Sequence, residues 1–276
     1  MSAERDSWEL GITENRLARM TRDMDEAHRA TLPALHAGTT DLGAGIRGRA
    51  AAAGVAPRDA GRRTVLLGAG GAAAAFALAA CSGGGTGKKS AGAATEAPAA
   101  ASSAAGSGTY TGDLKVVALA VALENQAVGA YRATLAAAKA GKLGTVPPAV
   151  ATFVTTAMAQ HADHAKAWNA ALRQAGKPAI TNVPLSNQAD VTAALGKATS
   201  VGAVAKLALQ LEDQAAQTYL VAVSTVTSKA AIETAATIAP VEAMHASILH
   251  FVLGQYPVPD SFLPTDKAAS PALLTV

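Results

Sequence analysis

Leu123-Glu124-Asn125-Gln126-Ala127-Val128-Gly129-Ala130-Tyr131 returns as Leu211-Glu212-Asp213-Gln214-Ala215-Ala216-Gln217-Thr218-Tyr219. In each copy a glutamate and a tyrosine stand seven positions apart. That is nearly two helical turns, so on a helix both side chains share a face. A shorter pattern follows each copy: His161-Ala162-Asp163-His164-Ala165 after the first, Glu242-Ala243-Met244-His245-Ala246 after the second. These are metal-ligand residue types set in segments otherwise dominated by Ala, Val and Leu. An ionised Glu on an apolar helix face is costly unless something compensates it. A pair of metal ions held between four helices is one such compensation.

Outward from these segments the pattern is helical. Apolar residues recur at three and four rather than at two, and Ala has the best intrinsic helix propensity. A first helix is expected from about Asp113 to Ala140, stopping at Gly141 to Gly144. Pro147-Pro148 open a second, since proline is tolerated in a first turn; it runs to about Ala175, with Gly176 and Pro178 as stop signals. Residues 177–199 form a longer connection with a short helix near Asp190 to Lys197. A third helix runs from about Val201 to Val226, and Ser228 caps a fourth that ends near Gly254. Short joins between helices one and two, and between three and four, make two antiparallel hairpins. The long join crosses the bundle. The expected fold is all-α: a four-helix bundle of two hairpins with one crossover.

Residues three apart on a helix lie about 60° apart on neighbouring turns. His161 with His164, and Glu242 with His245, can therefore each reach one metal ion. If the four faces point inward, Glu124, His161, His164, Glu212, Glu242 and His245 converge. Three of the eight acidic residues between Asp113 and Gly254 fall on the pattern, as do three of the four histidines after Cys81, which makes chance placement a poor account. Tyr131 and Tyr219 share faces with Glu124 and Glu212 and are read as packing residues that hydrogen-bond a ligand. Asp163 is a weaker oxygen donor, turned about 100° from each neighbouring His. His250 lies off the ligand face. Pro240 sits inside the fourth helix and frees a carbonyl one turn back.

The stretch from 112 to 256 resembles the ferritin-like diiron-carboxylate bundles, especially those exported by bacteria. That family carries Glu on helices one and three and Glu-x-x-His on helices two and four. Glu124, His164, Glu212, Glu242 and His245 match; His161 stands where the family has Glu. The resemblance implies two transition-metal ions, iron first and manganese or zinc as alternatives. It also implies redox chemistry with oxygen or peroxide, of an oxidase, peroxidase or ferroxidase kind. The His161 departure removes a bridging carboxylate and one negative charge, so His161 is expected as a sixth, non-bridging ligand. Three carboxylates against two divalent ions leave a net positive site. A non-catalytic metal binder, or a structural bundle whose site has decayed at His161, is the alternative. Without metal, repulsion among the carboxylates is expected to raise their pKa values, so that the metal-free protein gains stability as pH falls.

The front of the chain reads as an address. Arg62-Arg63 precede an uncharged run that ends in Leu78-Ala79-Ala80-Cys81. A basic pair, an apolar stretch and small residues are the parts of an export signal. The pair resembles a twin-arginine (Tat) signal, with Gly61 and Val65 departing from its pattern, and the end resembles a bacterial lipobox. Residues 58–81 are therefore expected to be a signal, with Cys81, the only cysteine, lipidated and first in the mature chain. Residues 82–111, mostly Gly, Ser, Ala and Thr, read as a tether. The expected location is the outer face of the cytoplasmic membrane, with the lipid bilayer and the Tat machinery as partners. A formal charge of +3 with scattered lysines argues against nucleic acid. Residues 1–57 are charged, carry no strong motif and are set outside the mature fold; a start at Val55 would explain their place ahead of a signal. Residues 257–276 form a Pro-containing tail.

Overall fold

The computed structural model describes residues 13–54 and 109–276. The described residues 13–50 and 109–276 belong to one compact unit. Of residues 51–107 only the end of the first helix is described. The helices are α1 (Glu14–Gly54), α2 (Asp113–Lys139), α3 (Pro148–Gln174), α4 (Gln188–Lys197), α5 (Val201–Thr225) and α6 (Lys229–Val252). A short 3-10 turn at Pro271–Leu273 closes the described chain.

Helices α2, α3, α5 and α6 pack as the expected bundle. α2 pairs with α3 and α5 with α6, while α2 meets α5 and α3 meets α6 across the middle. The hairpin α2–α3 turns where Gly141 and Gly144 adopt positive φ, each 71°, a conformation that a Cβ disfavours. The other hairpin is held differently from expectation. The Ser228 side chain makes no cap. Instead the Asp113 carboxylate, from the start of α2, accepts from the backbone N–H of Thr227 at 2.9 Å and of Ser228 at 2.8 Å. It thus supplies negative charge at the N-terminus of α6. α6 continues through Pro240. Between the hairpins, the crossover carries α4 and is pinned by Asn169, whose side chain exchanges hydrogen bonds with Ile180 at 2.8 and 2.9 Å.

The core lies in two large clusters. One holds Leu114, Val117, Trp168, Leu172, Tyr219 and Ile238, the other Tyr131, Val150, Phe153, Val204, Ile248 and Phe251. Tyr219 and Tyr131 of the repeated patterns belong one to each cluster, whereas the glutamates and histidines of those patterns belong to neither. The C-terminal tail is part of the fold. Its backbone N–H groups at Lys267 and Ala269 donate to Gln217 and Thr218 of α5, and Leu274 bridges to Leu185 of the crossover.

The sequence reading set residues 1–57 apart from the bundle; in the structure α1 lies against it. Leu17, Thr21, Met24, His28, Thr31, Leu35, Gly38 and Leu42 alternate in steps of four and three, the 3.5-residue spacing of a helix seam. All but Thr31 are buried. Leu35 and Leu42 join one bundle cluster, Leu17 and Met24 the other. Fully burying such side chains stabilises by about 1.5–3 kcal/mol each. α1 runs parallel to α3 and antiparallel to α6. Asp25, His28 and Gly43 meet Gln160, His164 and Gln174, while Arg16 meets Phe251 and Gly38 meets Thr234. Gly38 and Gly43 permit this approach, since a Cβ at either would collide with α6 or α3. The expected signal, including Arg62, Arg63 and Cys81, lies outside the described residues, as does the tether up to residue 108.

Candidate metal centre

Glu124 comes from α2, His161 and His164 from α3, Glu212 from α5, and Glu242 and His245 from α6. All six are at most 2% exposed. They form two overlapping groups able to hold a metal each: Glu124, His161, His164 and Glu242, and His161, Glu212, Glu242 and His245. Swapping the two hairpins exchanges the groups. His161 and Glu242 are the shared members.

The shared residues face both ways. His161 Nδ1 lies 2.7 Å from Glu124 Oε2, and its Nε2 lies 3.0 Å from Glu212 Oε1. Glu242 places Oε1 2.9 Å from His164 Nδ1 and Oε2 3.3 Å from His245 Nδ1. His245 Nδ1 is also 3.2 Å from Glu212 Oε2. His161 was expected as a non-bridging ligand, on the ground that imidazole offers one lone pair to one metal. Here its two nitrogens address opposite halves of the cage.

The tyrosines cross between hairpins. Tyr131 of α2 donates to Glu212 of α5, and Tyr219 of α5 donates to Glu124 of α2. Trp168 Nε1 in turn donates to Tyr219 at 3.0 Å. Each phenol occupies one oxygen of a glutamate and so limits how that carboxylate can rotate. Asp163 is part-exposed and belongs to neither group. His250 bonds Gln255 at 2.7 Å, away from the cage.

Electrostatics here differ from the expected picture of repelling carboxylates. Burial pushes the pKa of Glu124 up, but the charges and hydrogen bonds of His164 and His161 outweigh it and hold it at about 2. Burial opposes ionisation of Glu212 too, and His161 and His245 bring it well below the usual range. The reverse holds for the imidazoles. Burial pushes His164 down, while Glu124 and Glu242 raise it to about 9. His161 and His245 are likewise penalised by burial and raised by their glutamate neighbours, His161 the more strongly. Without metal, then, protons favour the three histidines over Glu124 and Glu212. The expectation of raised carboxylate pKa values, and of a metal-free protein stabilised by acid, is reversed at Glu124 and Glu212, because imidazoles lie against both. For the tyrosines, burial and the adjacent carboxylates push ionisation well above the ordinary range, which keeps both as donors.

The donor set fits a metal pair. His164 Nδ1 and Glu242 Oε1 are buried without a hydrogen-bond partner despite lying 2.9 Å apart. Buried polar atoms are nearly always partnered, and a cation between them would satisfy both. Imidazole nitrogens and carboxylate oxygens together suit iron, manganese and zinc. Metal entry must displace the imidazolium protons.

A family model described as the ferritin-like domain matches residues 112–255, and the chain belongs to that family. No curated protein and no solved structure matches it.

Three residues beside the cage were missed from sequence. Gln160 is buried, accepts from His245 Nε2 at 2.8 Å and donates to Asp25 of α1 at 3.2 Å. His28 of α1 stands edge-on to His164, ring centroids 5.2 Å apart, with its Nε2 buried and unpartnered. Burial and the facing His164 lower His28 to about 4, so it is neutral. The alternating four-three spacing of α1 was the available signal. Thr21, His28, Thr31 and Gly38 hid it from a search for apolar residues.

Proposed function

We propose that this protein holds two iron ions in the ferritin-like bundle and uses them to react with dioxygen or peroxide. The observation that carries the reading is the pair of buried four-residue groups sharing His161 and Glu242. Iron would supply the electrons; the chain's residues hold and shield it. Glu124, His164, Glu212 and His245 would hold the ions together with Glu242 and His161, the two residues common to both groups. Tyr219 and Tyr131 steady the outer glutamates. The cage is closed to bulky molecules by burial. An apolar cavity of about 40 Å³, with Tyr131 and Phe153 in its lining, suits a small, weakly polar reactant.

The test is metal analysis of the anaerobically purified full-length protein, followed by oxygen and peroxide consumption on adding Fe(II). Two irons per chain and stoichiometric consumption are expected. Metal binding without consumption would instead support a metal binder without turnover, the reading favoured by the histidine at position 161. No metal uptake would remove both.

The location is also a proposal. Arg62-Arg63 and Leu78-Ala79-Ala80-Cys81 support export to the outer face of the membrane with a lipid on Cys81. On that route α1 precedes the signal, so cleavage before Cys81 would sever it from the bundle.

A further inference from the structure

We propose that Asp25, on α1, is a positioning residue for the cage: through Gln160 it holds His245 with Nε2 protonated and Nδ1 turned to the metals. The inference rests on the dimetal reading and follows from what each group can donate or accept.

An ionised carboxylate only accepts hydrogen bonds. Gln160 Nε2, 3.2 Å from Asp25 Oδ1, must therefore be the amide's donating end. That orientation turns Gln160 Oε1 to His245 Nε2, 2.8 Å away. An amide oxygen can only accept, so His245 Nε2 must carry a hydrogen. A neutral imidazole has one N–H, which leaves the lone pair on Nδ1. Nδ1 is the nitrogen 3.2 Å from Glu212 Oε2 and 3.3 Å from Glu242 Oε2, inside the second metal group. The opposite amide orientation fails twice. It would face an amide oxygen to the carboxylate, and it would force the proton onto Nδ1, where the metal must bind. Gln160 is 1% exposed, so water offers it no substitute partner. The other Asp25 oxygen is engaged 2.5 Å from Arg29 Nη2, which steadies the carboxylate. Outer partners of metal-binding histidines commonly set ring orientation and metal affinity. Here the last member of the relay comes from a helix outside the four-helix bundle. The other half of the cage is built differently, since the residue matching Gln160 by hairpin exchange is Val241.

The experiment uses the full-length chain and zinc, titrated against a chromophoric chelator, with the tautomer of His245 read separately from imidazole nitrogen chemical shifts of the metal-free protein at alkaline pH, where the ring is neutral. Asp25→Ala and Gln160→Leu should each weaken binding of one of two zinc ions about tenfold. Asp25→Ala should also turn the single His245 tautomer into a mixture. Asp25→Asn, whose amide oxygen still accepts from Gln160, should restore both. Leu35→Ala loosens α1 away from the cage and should leave the tautomer unchanged. Equal zinc affinity and a single tautomer in Asp25→Ala would overturn the proposal while leaving the dimetal reading intact. Equal losses in Asp25→Ala and Leu35→Ala would overturn it in favour of packing alone. Wild type that takes up no zinc or iron removes the dimetal reading, and the proposal with it.

Discussion

Raising the pH of the metal-free protein from 6 to 9.5 should destabilise it substantially. The folded state raises His164 from the ordinary 6.5 to about 9, chiefly because Glu124 and Glu242 outweigh the burial penalty. A group with a raised folded pKa contributes its stability fully below the unfolded value. It loses that contribution as pH climbs through the folded value. Each pKa unit is worth about 1.36 kcal/mol, so His164 alone accounts for about 3 kcal/mol. For a domain of this size that corresponds to a melting temperature lower by roughly 6–12 °C. His161 and His245 shift in the same direction and add to it. Acid acts on the other partners. Glu124 is held at about 2 against an unfolded 4.5, so its contribution is present above 4.5 and disappears as pH falls toward 2. Stability of the metal-free protein should therefore peak between about pH 4.5 and 6.5. Thermal melts by circular dichroism in excess chelator across this range provide the assay. The metal-loaded protein, its imidazolium protons displaced, should not share the alkaline loss. A melting temperature of the metal-free form that stays flat or rises between pH 6.5 and 9 would refute the interleaved ion-pair picture.

Other outcomes follow from the sharing of ligands. Glu212→Ala removes a member of one group and should abolish tight binding of one ion, whereas Glu242→Ala removes a member of both and should abolish two; elemental analysis of anaerobically loaded protein distinguishes them. His161→Glu restores the family residue and one negative charge at the other shared position, and should strengthen two-iron binding by competition titration. A chain beginning at Val55 loses α1 with its buried Leu17, Met24, Leu35 and Leu42, and should melt lower than the full chain in calorimetry. If it melts equally, α1 does not stabilise the bundle. Cys81→Ala should leave the precursor unprocessed or release the protein from membranes, and mass spectrometry of an exported, unmodified Cys81 peptide would end the lipoprotein reading.

The bundle was legible because its signals are local and repeated. The Glu and Tyr seven apart, the triplet-spaced ligands, and glycines and prolines at the turns all follow from helix geometry. The ends of α2, α3, α5 and α6 fell within a residue or two of the expected bounds. What escaped depended on relations between distant segments. Whether His161 would face one half of the cage or both depends on its ring orientation among three glutamates from three other helices. Protonation could not be read from residue types, because the balance of burial against pairing is set only once Glu124 and His161 lie 2.7 Å apart. α1 was hidden by composition: its seam includes threonine, histidine and glycine, which fill narrow space against α3 and α6 but do not look like a core.

The crossed tyrosines carry a consequence for ancestry. Each hairpin supplies the phenol that steadies the other hairpin's glutamate, so neither is complete by itself. Two copies of a single hairpin, set side by side about a twofold axis, would meet both needs at once. The repeated patterns are what a joined pair of such copies would leave behind. In a symmetric pair, positions 161 and 242 would have to be the same residue. Joining the halves into one chain frees them to differ, and the contrast between His161 and Glu242 is a difference that only the joined form allows.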